Sequence, residues 1–254
     1  MAIGSRSYAP GYSSSGFFPP AVKWLLIVNI GIFIANFLAV QAGIGSFFNH
    51  FGLVPAAVVQ TFAIWQLVTY MFLHDPYGFT HILFNMLTLY MFGADLERGW
   101  GAKRFLQYYF LCGIGAGFCV VIANAMFGNM HSRTIGASGA IYGLLLAFGV
   151  LYPDRTVLFS FLFPIKAKYF VMILGAIAFL SSISASENGV SHVAHLGGMI
   201  FGYIYLRSKR MNNVDLWGSA QYMYKEWKLR RAKRKFQVYM KKKQDPRDRD
   251  RWVN

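Results

Sequence analysis

The chain has 254 residues, of which 56% are hydrophobic and only 14% charged. A soluble domain carries charge on about a quarter of its residues, so this composition excludes an ordinary soluble enzyme and points to the membrane class. The formal net charge of +15 fits either nucleic-acid binding or the flanks of membrane segments, and the positions of the charges decide between these.

In chain order, residues 1–22 are rich in Ser, Gly and Pro and lack the apolar stretch of a cleavable signal. They read as a disordered cytoplasmic tail, and the first apolar segment is expected to serve as an uncleaved insertion signal. Six apolar segments then qualify as spanning helices: residues 24–40, 80–94, 105–127, 138–152, 169–183 and 192–206. Two further apolar runs, 61–73 and 157–165, are too short to cross a bilayer and are expected to be interfacial or re-entrant. Trp65, Gln66 and Tyr70 in the first of these suit an interface. The expected organisation is a six-span domain over 23–207 and a basic cytoplasmic tail over 208–254.

In a six-span frame every Lys and Arg except Arg133 falls on one side. This is a positive-inside pattern, so both tails are expected to be cytoplasmic, in a plasma (inner) membrane. It accounts for the basic excess without nucleic acid. Segment 225–243 mixes Lys and Arg with Trp227, Leu229, Phe236 and Tyr239. It fits either anionic inner-leaflet lipid or a solvated tail.

Segments two, four and six run in the same direction, so their N-terminal ends lie together at the outer face. Those ends carry His81 and Asn85, then Ser138, then His192 and His195. Residues 138–152 reach only ~22 Å at ~1.5 Å per residue, against a core of ~30 Å. Ser138 is therefore expected below the outer surface, in a water-filled hollow.

Polar groups at that depth are expensive and mark function by default. Ser138, flanked by Gly136 and Gly139, begins a helix whose first N–H groups lack intrahelical partners and can bind an anion. A capping serine among small packing residues has the same pattern. His195 precedes Gly198 and Gly202, a GxxxG face that would dock on Gly139 and Gly143. Such docking would bring Ser138 and His195 within proton-transfer reach, although a histidine that only bonds between helices is equally compatible. Tyr142, one turn after Ser138, is placed to pack on the His195 ring or simply to fill space. No intramembrane carboxylate is placed to complete a triad, which leaves a Ser–His dyad. His81 and Asn85, one turn apart, suit side-chain oxyanion donors or interhelical bonds. His74, with Asp75 and Pro76, marks a turn ahead of segment two.

His192 and His195 lack the acidic partners of a metal site, so neither a metal nor another cofactor is expected. Cys112 and Cys119, seven apart on one helix face, read as small buried hydrophobes. A transporter with histidine proton relays would ordinarily show carboxylates or internal repeats, and neither is present.

The stretches HILFN (residues 81–85), GASGAIYG (136–143) and AHLGGMIFG (194–202) closely resemble, in order and spacing, the three signature motifs of the rhomboid intramembrane proteases. The resemblance covers about 24–206. It implies an all-α polytopic membrane protein, a six-transmembrane-helix bundle with an interfacial first outer loop over about 47–73. It further implies a serine endopeptidase that cleaves single-span membrane proteins near the extracytoplasmic end of their transmembrane helix, preferring small residues at the cleaved position. By the same resemblance Ser138 is the nucleophile, His195 the base, and Tyr142 the stacking ring. The Ser138 amide, His81 and Asn85 bind the oxyanion, and segment five with residues 184–191 gates the hollow. An inactive relative that only binds membrane clients is the alternative. One departure stands out: where many rhomboids carry Trp-Arg in the first loop, this chain has Trp65-Gln66, so the scaffold of that loop is expected to differ.

Overall fold

The computed structural model of the protein describes residues 18–159, 163–183 and 189–212. The expectations for most of the N-terminal tail, for residues 184–188 of the gate and for the 225–243 segment lie outside the described residues. The chain divides into a unit ending at Leu206 and another beginning at Arg207. The fold described here is that of the first; of the second, only the end of the last helix is described.

Helix α1 (Pro20–Gln41) begins with proline in its first turn, where the missing N–H costs nothing. Its start has no side-chain cap of its own. Buried Glu97 supplies one from elsewhere, accepting the Ala21 N–H at 2.9 Å and the Val22 N–H at 2.8 Å. A carboxylate at a helix N-terminus satisfies two orphan donors and opposes the helix dipole. With this cap α1 starts ahead of residue 24, inside the stretch expected to be tail.

The connection to the next long helix contains a 3₁₀ turn (Gly45–Phe51), two short helices, α2 (Pro55–Gln60) and α3 (Gln66–Thr69), and a second 3₁₀ turn (Tyr70–Phe72). None is long enough to cross a bilayer. Here the interfacial expectation for Gln66 and Tyr70 needs correction. Trp65 is exposed, but Gln66 and Tyr70 are buried. Four residues apart, Gln66 and Tyr70 share one helical face, and that face turns inward.

Helix α4 (Phe79–Thr88), a π-helical turn (Leu89–Gly93) and α5 (Ala94–Trp100) follow one another without a break. Gly101, at φ +78°, then turns the chain into α6 (Ala102–Phe127). Beyond it come α7 (Ser138–Leu151), strands β1 (Thr156–Phe159) and β2 (Phe163–Lys166), α8 (Ala167–Ile183) and α9 (Gly189–Asn212). Each of the six apolar segments thus falls on a helix, and α1 and α6 are long and apolar enough to cross a membrane on their own. In the run 157–165 the described residues lie in two antiparallel strands, with Thr156 opposite Lys166 and Phe159 opposite Phe163. Apart from these, the β pairing among the described residues is a single bridge, Leu53 to Thr134. The fold is otherwise that of an all-α membrane protein. Ile34 and Leu38 of α1, and Met172 and Leu180 of α8, are exposed. Apolar surface this extensive is suited to lipid contact.

Helix α6 lies at the centre, with Phe105, Tyr108, Tyr109 and Cys112 fully buried. Its small residues admit large neighbours: Gly113 faces Met71, Gly115 faces the Phe201 ring, and Gly117 faces Tyr70 and Leu67. Helix α9 packs against both α6 and α7. A Cβ on Gly198 would strike the Gly139 carbonyl of α7, and one on Gly197 would lie 3.0 Å from the Ala116 Cα of α6. Backbones approach this closely only where both helices present small residues.

The expected docking of the two small faces is met at Gly198, which packs on both Gly139 and Gly143: its carbonyl would lie 3.2 Å from a Cβ on Gly143. Beside Gly202 stands Tyr108. Its hydroxyl lies against Gly202 and donates to the Gly143 carbonyl at 2.8 Å. The phenol fills the space between the helices and satisfies a carbonyl there.

Candidate active site

Ser138 is the first residue of α7 and His195 lies near the start of α9. The backbone contact between Gly139 and Gly198 sets the distance between these helix ends. Across it, His195 Nε2 lies 2.9 Å from Ser138 Oγ. Both side chains are half-buried, so the pair is sheltered yet open on one side.

The His195 ring lies flat on Tyr142, with centroids 4.0 Å apart and planes 2° from parallel. His192 meets the same ring edge-on at 5.7 Å and 83°. His195 Nδ1 is buried and has no hydrogen-bond partner among the described residues. The imidazole is thus oriented by ring packing rather than by a carboxylate on Nδ1. Among the described residues, no group of three or more His, Cys, Asp or Glu side chains gathers in metal-binding reach.

The backbone entering α7 is under tight constraint. Gly136 adopts φ +119°, a region that L side chains rarely enter. A Cβ there would also lie 3.1 Å from His81 Cε1 and 3.9 Å from Ser138 Oγ. Glycine at 136 therefore does two things: it permits the turn and leaves room for His81 beside the serine. The first N–H donor inside α7 is that of Ile141, to the Ala137 carbonyl at 3.1 Å. By helix geometry the Ser138 N–H has no intrahelical acceptor.

His81 is exposed and borders this opening, whereas Asn85, one turn further on, is buried. The Asn85 Nδ2 lies 3.1 Å from His74 Nε2. Of the residues expected at the site, Ser138, His195, Tyr142, His81, Gly136, Gly139 and Gly198 come together. Asn85 is engaged with His74, and Gly202 belongs to the Tyr108 contact below.

Sequence reasoning missed two supporting tyrosines. Tyr70 donates its hydroxyl to the Gly113 carbonyl at 2.7 Å, and its own carbonyl accepts the Gly136 N–H at 2.9 Å. It thus ties the loop before Ser138 to α6. Tyr108 secures α7 one layer down, as described above. The spacing of Tyr70 from Gln66 was the available signal for the first; nothing local marks the second.

The Trp65-Gln66 departure also has a structural counterpart. Gln66 Oε1 accepts the Val54 N–H at 2.9 Å, and Gln66 Nε2 donates to the His50 carbonyl at 3.1 Å. Thr69 Oγ1 donates to the Phe51 carbonyl at 2.7 Å. Neutral amide bonds on Gln66 fold the connection between α1 and α4 over α3. That connection then pairs with the loop before α7 through Leu53 and Thr134, at 2.9 and 2.8 Å.

Residues 61–210 match the family profile of the Rhomboid domain. Among curated relatives, the putative rhomboid protease YdcA of Bacillus subtilis is 35% identical over 143 residues, 55% of this chain and 64% of that protein. Rhomboid protease GluP of Bacillus subtilis is 33% identical over 153 residues, 60% of this chain and 27% of that protein. The chain thus spans less than two thirds of the length of either. Rhomboid protease GlpG of Haemophilus influenzae is 27% identical over 201 residues, 75% of this chain and 95% of that protein. The profile covers α3 to α9 and takes in all three motifs, so this integral membrane chain belongs to the rhomboid family.

Proposed function

We propose that the chain is an intramembrane serine endopeptidase acting through a Ser138–His195 dyad. The 2.9 Å contact between His195 Nε2 and Ser138 Oγ is the observation that carries this reading. The Tyr142 stack and the named rhomboid proteases among its relatives support it.

In this mechanism His195 Nε2 takes the Ser138 hydroxyl proton as Oγ attacks the scissile carbonyl carbon. The carbonyl π pair moves onto oxygen, and the Ser138 N–H, His81 and Asn85 stabilise the oxyanion. As the tetrahedral intermediate collapses, the C–N bond breaks and the imidazolium gives its proton to the leaving amine. Water, deprotonated by the same imidazole, then cleaves the acyl-serine ester and restores the hydroxyl. Tyr142 fixes the plane of the base throughout.

The substrates of this reading are single-span membrane proteins, cut near the extracytoplasmic end of their helix. The frame is six-spanning over 23–207, with the basic ends of the helices and both tails on the cytoplasmic side of a plasma (inner) membrane. Helix α8 and the connection that follows it gate lateral entry. Segment 225–243 of the basic tail fits either anionic inner-leaflet lipid or a solvated tail.

The test uses the full chain in detergent and in vesicles, with a fluorophosphonate probe and a single-span reporter carrying small residues near its outer end. Wild type is expected to be labelled and to cleave the reporter, while Ser138→Ala does neither. Cleavage by Ser138→Ala would overturn the dyad. A folded wild type that neither labels nor cleaves would instead support a client-binding protein without catalysis.

A further inference from the structure

His74 precedes α4 and lies outside the three motifs, yet it is fully buried, at 0% exposure. Three contacts hold it there. Its Nε2 lies 3.1 Å from Asn85 Nδ2. Its ring meets His81 edge-on, at 5.5 Å and 66°. Its carbonyl accepts a hydrogen bond from Asn36 Nδ2 of α1 at 3.3 Å. The turn that follows is pinned as well, since Asp75 accepts the Tyr77 N–H on Oδ1 at 3.0 Å and the Gly78 N–H on its carbonyl at 3.0 Å. One immobilised imidazole therefore touches both side chains assigned above to the oxyanion.

We propose that His74 is a positioning residue that sets the orientation of the Asn85 amide, so that Asn85 presents an N–H rather than its carbonyl oxygen to the substrate oxyanion. The terminal torsion of asparagine is broad and roughly two-fold, so an unanchored Asn85 can present either end. A carbonyl oxygen facing an oxyanion repels it, whereas an N–H stabilises it. An amide nitrogen carries two hydrogens. With His74 in the tautomer protonated on Nδ1, Nε2 accepts one of them, and the second remains for the hollow. Turning the amide over would set its oxygen against the Nε2 lone pair. The His81 contact adds a steric wall that keeps the His74 ring from rotating out of this register.

This inference rests on the protease reading, and its test separates the two. Rates on the single-span reporter are compared for wild type, Ser138→Ala, His74→Phe, His74→Gln, Asn85→Ala and the His74→Phe/Asn85→Ala pair, each normalised to monodisperse folded protein. Phenylalanine keeps the ring volume but has no acceptor, whereas glutamine carries an acceptor oxygen at a similar reach. His74→Phe is expected to lower kcat about 10- to 100-fold, up to the lower end of what one oxyanion donor supplies, with KM within about threefold. His74→Gln is expected to recover most of that loss. In the Asn85→Ala background His74→Phe should cost nothing further. A merely structural role would lower activity by the same factor in both backgrounds, and glutamine would not rescue it. Wild-type rates for His74→Phe, or an undiminished cost without Asn85, would overturn the proposal. Should His74→Phe fail to fold, His74→Ala takes its place in the same cycle. Absence of cleavage by wild type would instead overturn the protease reading.

Discussion

The two ends of α7 are built from opposite kinds of polar chemistry. At its N-terminal end two groups, Ser138 with His195 and Tyr142, and His81 with His74 and Asn85, are held by hydrogen bonds and ring contacts, with no carboxylate bonded to them among the described residues. At its C-terminal end the contacts are ionic. Arg155 pairs with Asp95 at 2.8 Å, and Lys166 and Lys168 both reach Asp154, at 3.3 and 2.9 Å. Lys168 and Lys166 hold the exposed Asp154 carboxyl below its ordinary range. A charge sunk among apolar helices costs far more than a neutral dipole. The groups there are held by geometry, whereas the watery end can use charge and tolerate looseness.

The comparison predicts a steep gradient of sensitivity from one end to the other. The largest effect is expected for Gly198→Val, whose side chain would collide with the Gly139 backbone. Reporter cleavage should fall at least about a hundredfold, because a displacement of ~1 Å at a reacting pair costs that much, and detergent melting should show lost stability. A rate near wild type would break the claim that this contact sets the dyad distance. Next comes Tyr142→Ala, which removes the stacked ring from His195. Steady-state kinetics should show kcat reduced about tenfold, the scale of one aromatic contact, while Tyr142→Phe stays within a few-fold.

Gln66→Ala tests the loop scaffold that supports the N-terminal end. It leaves the Val54 N–H and the His50 carbonyl without their amide partner, which should destabilise the fold by about 1–3 kcal/mol. Thermal unfolding in detergent reads this directly, and an unchanged midpoint would remove Gln66 from the loop scaffold. The smallest effect belongs to the ionic end. Asp154→Asn should shift the melting midpoint by about 2 °C or less, and by still less at high salt. The sign with pH follows from the lowered carboxyl: its contribution is present above the ordinary value of about 4 and fades as pH falls through the folded-state value. A large, salt-insensitive loss on Asp154→Asn would contradict the contrast.

How much of this was readable beforehand varies by element. Helices α1 and α6–α9 follow from long apolar runs, because a polar backbone in lipid must satisfy its own hydrogen bonds. The meeting of Ser138 with His195 was foreseeable from small residues placed just inside two helix starts. The stack of Tyr142 followed from one-turn spacing. By contrast, the strand pair at 156–166 was hidden, since a short apolar run has no decisive period. The π-turn after α4 left no mark that its composition reveals.

By itself the sequence determined the membrane class, the helical frame and which side chains share a helix face. These depend on composition and on neighbours within a turn or two, where apolar periodicity and helix geometry act. Only the tertiary structure decided that Glu97 caps α1, that Tyr108 stands between Gly202 and the Gly143 carbonyl, and that His74 grips Asn85. The first two join residues far apart in the chain, and all three depend on which rotamer fills a space that other helices leave open. No local pattern encodes that choice, because it is made by packing after the helices have come together.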